Sequence, residues 1–253
     1  MDSCGKYHTR IVYMRIHHDY TKNIMLNFST GNMYEFIKYT WNPIKGACHH
    51  DCKYCYMKQI NPNASQPRLA EYEFYTDLGK GNSIFIGSST DMFADNIPSE
   101  WITQVLDLCH KKQDAERPNT FLLQSKNPKR FLEFANHPLM KQVVFATTIE
   151  SNRNYPEIMS NSPKIEERAE AMEKIANLGF RTMVTAEPLM QFDLTDMVSI
   201  IKQCQPRLVN IGRNTCRDIQ LPEPEPEKVR DLKVALDEFT RVNVKKNALI
   251  WFK

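Results

Sequence analysis

Three cysteines, Cys48, Cys52 and Cys55, fall within eight residues of this 253-residue chain. The pattern Cys-x3-Cys-x2-Cys is the stretch whose residue types and spacing best suit chemistry. Cysteine thiolates are the usual iron ligands of iron–sulfur clusters, and a four-iron cluster ordinarily takes four of them. Three leave one iron open to chelate a small molecule. Pro43 and Gly46 place the cysteines on a loop. A structural zinc site is the competing reading, with His49 or His50 as fourth ligand, but such sites usually bring two spaced ligand pairs and only one Cys-x2-Cys pair is present. A plain iron–sulfur electron carrier is the third reading, although a carrier has no need of an open iron.

The remaining cysteines add no second pair. The total of seven is odd, and without a secretion signal it argues for reduced thiols rather than a disulfide framework. Cys109 and Cys204 fall on apolar helix faces and read as core. Cys216 follows the last expected barrel strand, near the mouth, and Cys4 sits in the N-terminal stretch.

The thiols need a scaffold, and the sequence supplies one. Short β-rich runs alternate with amphipathic helical runs, the pattern of a parallel sheet wrapped by helices. Strands are predicted at Glu35–Thr40, Ser83–Gly87, Thr120–Gln124, Gln142–Thr147, Arg181–Thr185 and Arg207–Ile211. Among the helices, 163–178 carries Ser162 as a cap, Pro163 in its first turn and Gly179 at its end. Its apolar face runs Ile165, Ala169, Met172, Ala176. A helix from Ser99 presents Ile102, Val105, Leu106 and Cys109. The fold class is α/β: a partial (β/α)6 barrel over residues 35–220, with short extensions at 1–34 and 221–253. The first extension holds β-rich runs at Arg10–Ile16 and Asn23–Phe28, a possible hairpin on the barrel edge. In the second, the alternating prolines of 221–228 dictate a stiff loop before a helix, and Asn247–Phe252 reads as a final strand or a cover.

In parallel β/α barrels chemistry gathers at the C-terminal strand ends, and each predicted strand here ends in polar residues. They are Ser88, Ser89, Thr90 and Asp91; Gln124, Ser125 and Lys126; Thr147, Thr148, Glu150, Asn152 and Arg153; Thr185 and Glu187; and Asn210, Gly212 and Arg213. A carboxylate at a buried barrel mouth needs a partner. For Glu150 and Glu187 the candidates are Arg153, Arg213, or the ammonium and hydroxyls of a cofactor.

The cysteine spacing, with aromatic Tyr54 before the last Cys, resembles the signature of the radical S-adenosylmethionine (SAM) superfamily. Further landmarks are Thr40-Trp-Asn-Pro, Cys55-Tyr56, Ser89-Thr-Asp-Met-Phe followed by Trp101, Leu123-Gln-Ser-Lys, Glu187-Pro-Leu and Asn210-Ile-Gly-Arg. Together, over residues 35–215, they resemble a phage and bacterial subfamily related to the spore photoproduct lyase branch. The resemblance implies a 4Fe-4S cluster on Cys48, Cys52 and Cys55. Reductive cleavage of SAM would then give a 5′-deoxyadenosyl radical that takes hydrogen from a substrate. It also implies cofactor contacts from Ser88 to Asp91, from Ser125, and from Thr148 and Glu150 to Arg153, with Tyr54 near the adenine and Gly212 letting backbone approach it. Glu187 and Arg213 complete the cofactor candidates. The Gly-Glu pair usual after the second strand is replaced by Gly87-Ser88-Ser89-Thr90-Asp91. No second cysteine motif announces another cluster, so a flavodoxin or ferredoxin type electron donor is implied. Kinship to a DNA-lesion lyase points to a nucleic-acid or nucleotide substrate only by analogy of fold. Tyr56, Tyr155 and Cys216 are the other redox-capable residues.

Composition sets wide bounds. Charged residues are 25% of the chain and the formal net charge is +3, with basic residues scattered, so no extended nucleic-acid footprint is indicated. No run approaches the ~20 apolar residues of a membrane helix, and the N-terminus has no signal-peptide pattern. A cytoplasmic protein is the expectation.

Overall fold

Strands rich in β-branched and aromatic residues, each handing over to an amphipathic segment, assemble one main layer. The structure, a computed structural model, describes residues 25–216 and 218–253. The first strands are β1 (Asn27–Phe28), β2 (Tyr39–Trp41), β3 (Ile44–Lys45) and β4 (Arg68–Leu69), followed by β5 (Ser83–Ile86), β6 (Thr120–Gln124) and β7 (Val143–Thr148). The last three are β8 (Arg181–Ala186), β9 (Leu208–Ile211) and β10 (Arg241–Val244). β3 and β4 form a separate antiparallel ribbon, and the other eight make one sheet in the order β1-β2-β5-β6-β7-β8-β9-β10. β1 is antiparallel to β2, while every later neighbour pair is parallel.

Five of the six expected strands are present, while of the one expected at Glu35–Thr40 only Tyr39 and Thr40 are strand, within β2, and 35–38 are irregular. The sheet is open, with β1 and β10 at its edges. One parallel strand is additional: β10, which pairs in register from Arg241 opposite Leu208 to Val244 opposite Ile211. The strand expected at Arg10–Ile16 lies outside the described residues, as do Cys4, Asn23 and Ile24.

Alternation along the strands divides the core in two. Ile84, Ile86, Phe121, Leu123, Phe145 and Val184 face the helical layer. That layer comprises α1 (Ser99–Lys111), α2 (Ile165–Asn177), α3 (Leu194–Gln203) and α4 (Pro226–Asp237). The alternate residues Phe85, Leu122, Ala146 and Met183 point into the concave side. There they meet Tyr34 and Ile37 from the segment between β1 and β2. This irregular segment fills the hollow of the open barrel.

Polar bonds tie the plug to the far side of the sheet. Asn32 Nδ2 donates to Glu187 Oε1 at 2.6 Å, Lys245 Nζ to Glu187 Oε2 at 2.7 Å and Asn247 Nδ2 to Glu187 Oε1 at 3.1 Å. Lys245 Nζ also donates to the Asn32 carbonyl. Tyr34 Oη donates to Gln124 Oε1 at 2.7 Å. The clasp spans the gap that the open sheet leaves between its edges.

Two sequence expectations change locally. The helix predicted at 163–178 begins at Ile165, with Lys164 and not Ser162 at the cap position. Ser162 Oγ instead lies 3.3 Å from Cys52 Sγ. The segment read as a final strand or a cover is a 3-10 helix, Lys246–Phe252, that buries Ala248 and Trp251. It serves as the cover, held where Arg230 Nη1 donates to the Trp251 carbonyl at 2.8 Å. Among the described residues no helix is long and apolar enough to cross a membrane.

Candidate functional site

The cysteine loop leaves β2 at the buried Trp41 and is pinned before it reaches Cys48. Asn42 Oδ1 accepts from the Ser89 amide at 2.9 Å and from Ser88 Oγ at 3.2 Å, and Thr90 Oγ1 donates to the Gly46 carbonyl at 2.8 Å. Gly46 sits at φ 129°, a region closed to most side chains. A Cβ there would stand 2.7 Å from the Gln66 carbonyl oxygen and from Pro67 Cα, both backbone. Gly46→Ala is therefore expected to displace the loop and cost about 1–3 kcal/mol, read as an earlier midpoint in urea unfolding. A midpoint equal to that of the parent would mean the loop has slack at this point.

Beyond Cys48 the loop is tied down by a carboxylate. His50 Nε2 lies 2.8 Å from Asp91 Oδ2, which also accepts from Ser125 Oγ and the Lys126 amide, each at 2.9 Å. The Phe93 amide donates to Asp91 Oδ1 at 2.9 Å. Burial alone would raise the Asp91 carboxyl, but the His50 side chain and the two amides hold it below its ordinary range. Asp91 thus joins the cysteine loop to the ends of β5 and β6. Burial, helped by Asp91, pushes the Cys48 thiol up to about 12, so a metal bound there displaces a proton.

Cys52 is buried against a charged group. Lys126 Nζ is 3.4 Å from Cys52 Sγ, 3.6 Å from Glu150 Oε1 and 4.6 Å from the centre of the Tyr54 ring. Tyr54 Oη donates to Glu150 Oε1, and Arg168 Nη1 donates to Glu150 Oε2 at 2.8 Å. Glu150 and Arg168 are both fully buried. Arg168 also donates to the carbonyls of Pro163 and Thr148, at 2.8 and 3.0 Å. Burial would raise the Glu150 carboxyl, yet Arg168 and Lys126 keep it ionised and below its ordinary value. Burial likewise disfavours the Lys126 ammonium, but the Cys52 and Glu150 charges outweigh it and hold the group above its ordinary value. Cys55 follows on the same loop, and its neighbour Tyr56 donates from Oη to the Ser88 carbonyl at 2.7 Å.

The three cysteines open on one cleft of about 940 Å³, within the size range of small-molecule sites. Tyr54, Ser88, Ser89, Thr90 and Asp91 line it, as do Ser125, Thr148, Glu187 and Arg213. Four other candidates do not. Glu150 is enclosed behind the cysteine loop with Arg168, not Arg153, as its partner. Asn152 and Arg153 turn to Asp193, with Arg153 Nε at 2.8 Å from Asp193 Oδ2 and the Asp193 amide donating to Asn152 Oδ1 at 2.7 Å. Gly212 makes room for the Glu187 side chain, whose Cδ would lie 2.5 Å from an added Cβ. Glu187 finds Lys245 where Arg213 was expected, and Arg213 pairs with Glu223 at 2.5 Å. Cys109 and Cys204 are core as expected. Cys216 is buried, and its Sγ donates to the Tyr54 carbonyl at 3.2 Å.

Sequence reasoning missed Asn42, Tyr34 and Lys245, which also line the cleft. It also missed Arg168, although a signal existed: an arginine one position before Ala169, inside an apolar helix face, announces a buried anion. Among the described residues no three His, Cys, Asp or Glu side chains are grouped as ligands of a single ion. A four-iron cluster asks for something else, one thiolate on each of three irons. The loop's three thiols on one cleft, with an ammonium beside one of them, are a donor set that fits it.

The sequence resemblance implies a partial (β/α)6 barrel with the cysteine loop after its first strand, and the open, mostly parallel sheet with that loop after β2 is such a partial barrel. Comparison with solved structures supports the fold. A spore photoproduct lyase variant with bound AdoMet and dinucleoside spore photoproduct superposes at TM-score 0.59, with 10% identity, over 87% of this chain and 67% of that one. The lyase complexed with dinucleoside spore photoproduct gives TM-score 0.57, 10% identity, 85% and 65%. The chain thus spans about two thirds of the length of these structures and shares their fold. No family model matches the sequence, and no curated protein matches it.

Proposed function

We propose that the chain is a radical SAM enzyme that binds one 4Fe-4S cluster through Cys48, Cys52 and Cys55 and takes SAM into the adjoining cleft. The observation that carries this reading is the opening of all three thiols on one roomy cleft at the C-terminal ends of parallel strands. Cys48, Cys52 and Cys55 would hold the cluster, whose chemistry when bound would be one-electron reductive cleavage of SAM, giving methionine and a 5′-deoxyadenosyl group able to take hydrogen from substrate. The protein's own part is binding, orientation and exclusion of water. Asp91 and Glu187 are each engaged by three or more protein donors. They therefore act as anchors of the walls, and the contacts to SAM fall to Ser88, Ser89, Thr148 and Arg213. Tyr54, its hydroxyl committed to Glu150, offers only its ring.

The test is anaerobic reconstitution followed by reduction with SAM present. The expected result is 5′-deoxyadenosine together with stoichiometric methionine. Zinc without sulfide in anaerobically purified protein would support the zinc module instead. A reducible cluster that forms no 5′-deoxyadenosine would support the electron carrier. The cell's reductant is a flavodoxin or ferredoxin, in keeping with a cytoplasmic site. For substrate we propose a nucleic acid or nucleotide, supported by the dinucleoside bound in the structural neighbour. A DNA or RNA mobility shift that weakens with salt is the matching observation. No shift at low salt would move the search to small metabolites and peptides.

A further inference from the structure

The buried side of the cysteine loop carries an unbalanced charge. Lys126 and Arg168 contribute two cations, whereas among the described residues Glu150 is the only carboxylate bonded to either side chain. Tyr54 is a neutral donor to that carboxylate, and Arg168 Nη2 has no hydrogen-bond partner among the described residues. Asp91 touches Lys126 only at its backbone amide, its carboxylate being taken up by His50, Ser125 and Phe93. One positive charge is therefore left over at the inner wall of the cleft, where the Lys126 side chain is 17% exposed and water screens it only in part. The group that receives it is the Cys52 sulfur, 3.4 Å from Lys126 Nζ.

Resting on the proposed cluster, we infer that the Lys126–Glu150–Arg168 network is a positioning device that sets the reduction potential through Cys52. Reduction adds one negative charge, delocalised onto the ligating sulfurs. A fixed cation beside one of them stabilises the reduced state more than the oxidised state. A hydrogen bond to a ligand sulfur acts in the same direction. The network thus makes the first electron easier to deliver. Glu150 limits the effect, because it offsets one of the two cations while holding Lys126 against the sulfur.

The sign of the effect distinguishes this role from packing. Lys126→Met removes the charge and keeps most of the stem, Lys126→Arg keeps the charge, and Glu150→Gln adds one net positive charge. In an electron paramagnetic resonance redox titration of reconstituted protein, Lys126→Met is expected to move the midpoint to a more negative potential. At the parent's midpoint its ratio of reduced to oxidised cluster would fall by about tenfold, which is ~59 mV for one electron. Lys126→Arg should stay near the parent, and Glu150→Gln should move the opposite way.

Equal midpoints in the parent and Lys126→Met, at matched iron and sulfide content, would overturn the inference. If Lys126→Met assembles no cluster, Lys126→Arg decides. A normal cluster in Lys126→Arg supports a need for charge, and failure of both variants shows a need for the lysine's shape and overturns the electrostatic role. Failure of the parent itself to hold a 4Fe-4S cluster refutes the proposed function instead, so the two failures are distinguishable.

Discussion

Cys52→Ala is expected to abolish the iron–sulfur chromophore and to reduce 5′-deoxyadenosine formation by more than about a hundredfold. Changes to residues that merely support a metal's ligands already cost about 10–100-fold. Loss of a ligand buried inside the fold goes further, because Lys126 and Ser162 then face an empty methyl where each had a sulfur. Cys109→Ala is the control. That thiol is equally enclosed but sits on the core face of α1, so its loss alters packing and leaves iron content unchanged. The readouts are iron, acid-labile sulfide and the visible spectrum after anaerobic reconstitution. A Cys52→Ala protein with the iron and sulfide of the parent would end the assignment of the loop as a cluster site.

The largest effect on stability is expected at Arg168. Replacing it by methionine leaves Glu150 ionised and fully buried, with Lys126 at 3.6 Å as its remaining charged partner. It also removes donors from the Pro163 and Thr148 carbonyls. Breaking one side of a buried ion pair costs about 3–5 kcal/mol. Urea unfolding of the metal-free protein should show that loss, and the double variant Arg168→Met with Glu150→Gln should recover part of it, since the stranded charge is gone. A single variant within about 0.5 kcal/mol of the parent, the range of ordinary surface changes, would show that the pair carries little of the fold's stability.

Much of the frame was legible because its signals are local. Runs such as Ser83–Ile86 and Thr120–Gln124 are short, apolar and bounded by breakers, as buried parallel strands are. β10 escaped because Arg-Val-Asn-Val carries only two apolar residues, and as an edge strand it is half-buried at best. The plug around Tyr34 and Ile37 was misread for a different reason: its apolar and aromatic residues look like the start of the strand expected at Glu35–Thr40, but they are held irregularly against a surface built from four distant strands.

At the site, the cysteine loop was legible from its spacing and the cleft-lining residues after β5 from their strand-end position. The partners of Glu150 and Glu187 were not. The candidates, Arg153 three positions after Glu150 and Arg213 beyond the neighbouring strand β9, were paired instead with Asp193 and Glu223. The actual partner of Glu150 comes from the buried face of the next helix, and that of Glu187 from the end of β10. Strand-end position says that a side chain is near the mouth; it does not say whether the side chain enters the cleft or turns behind it.

The clasp of Asn32, Glu187 and Lys245 has a consequence for biogenesis. Its two outer members are 213 positions apart, so it is among the most non-local contacts in the molecule, and such contacts form late. A nascent chain leaving the ribosome can pair β2 through β9 one after another and join Asn32 to Glu187, yet the link to the last strand waits for Lys245 to be translated. Until β10 has been made, the opening of the concave side is held by part of the clasp alone.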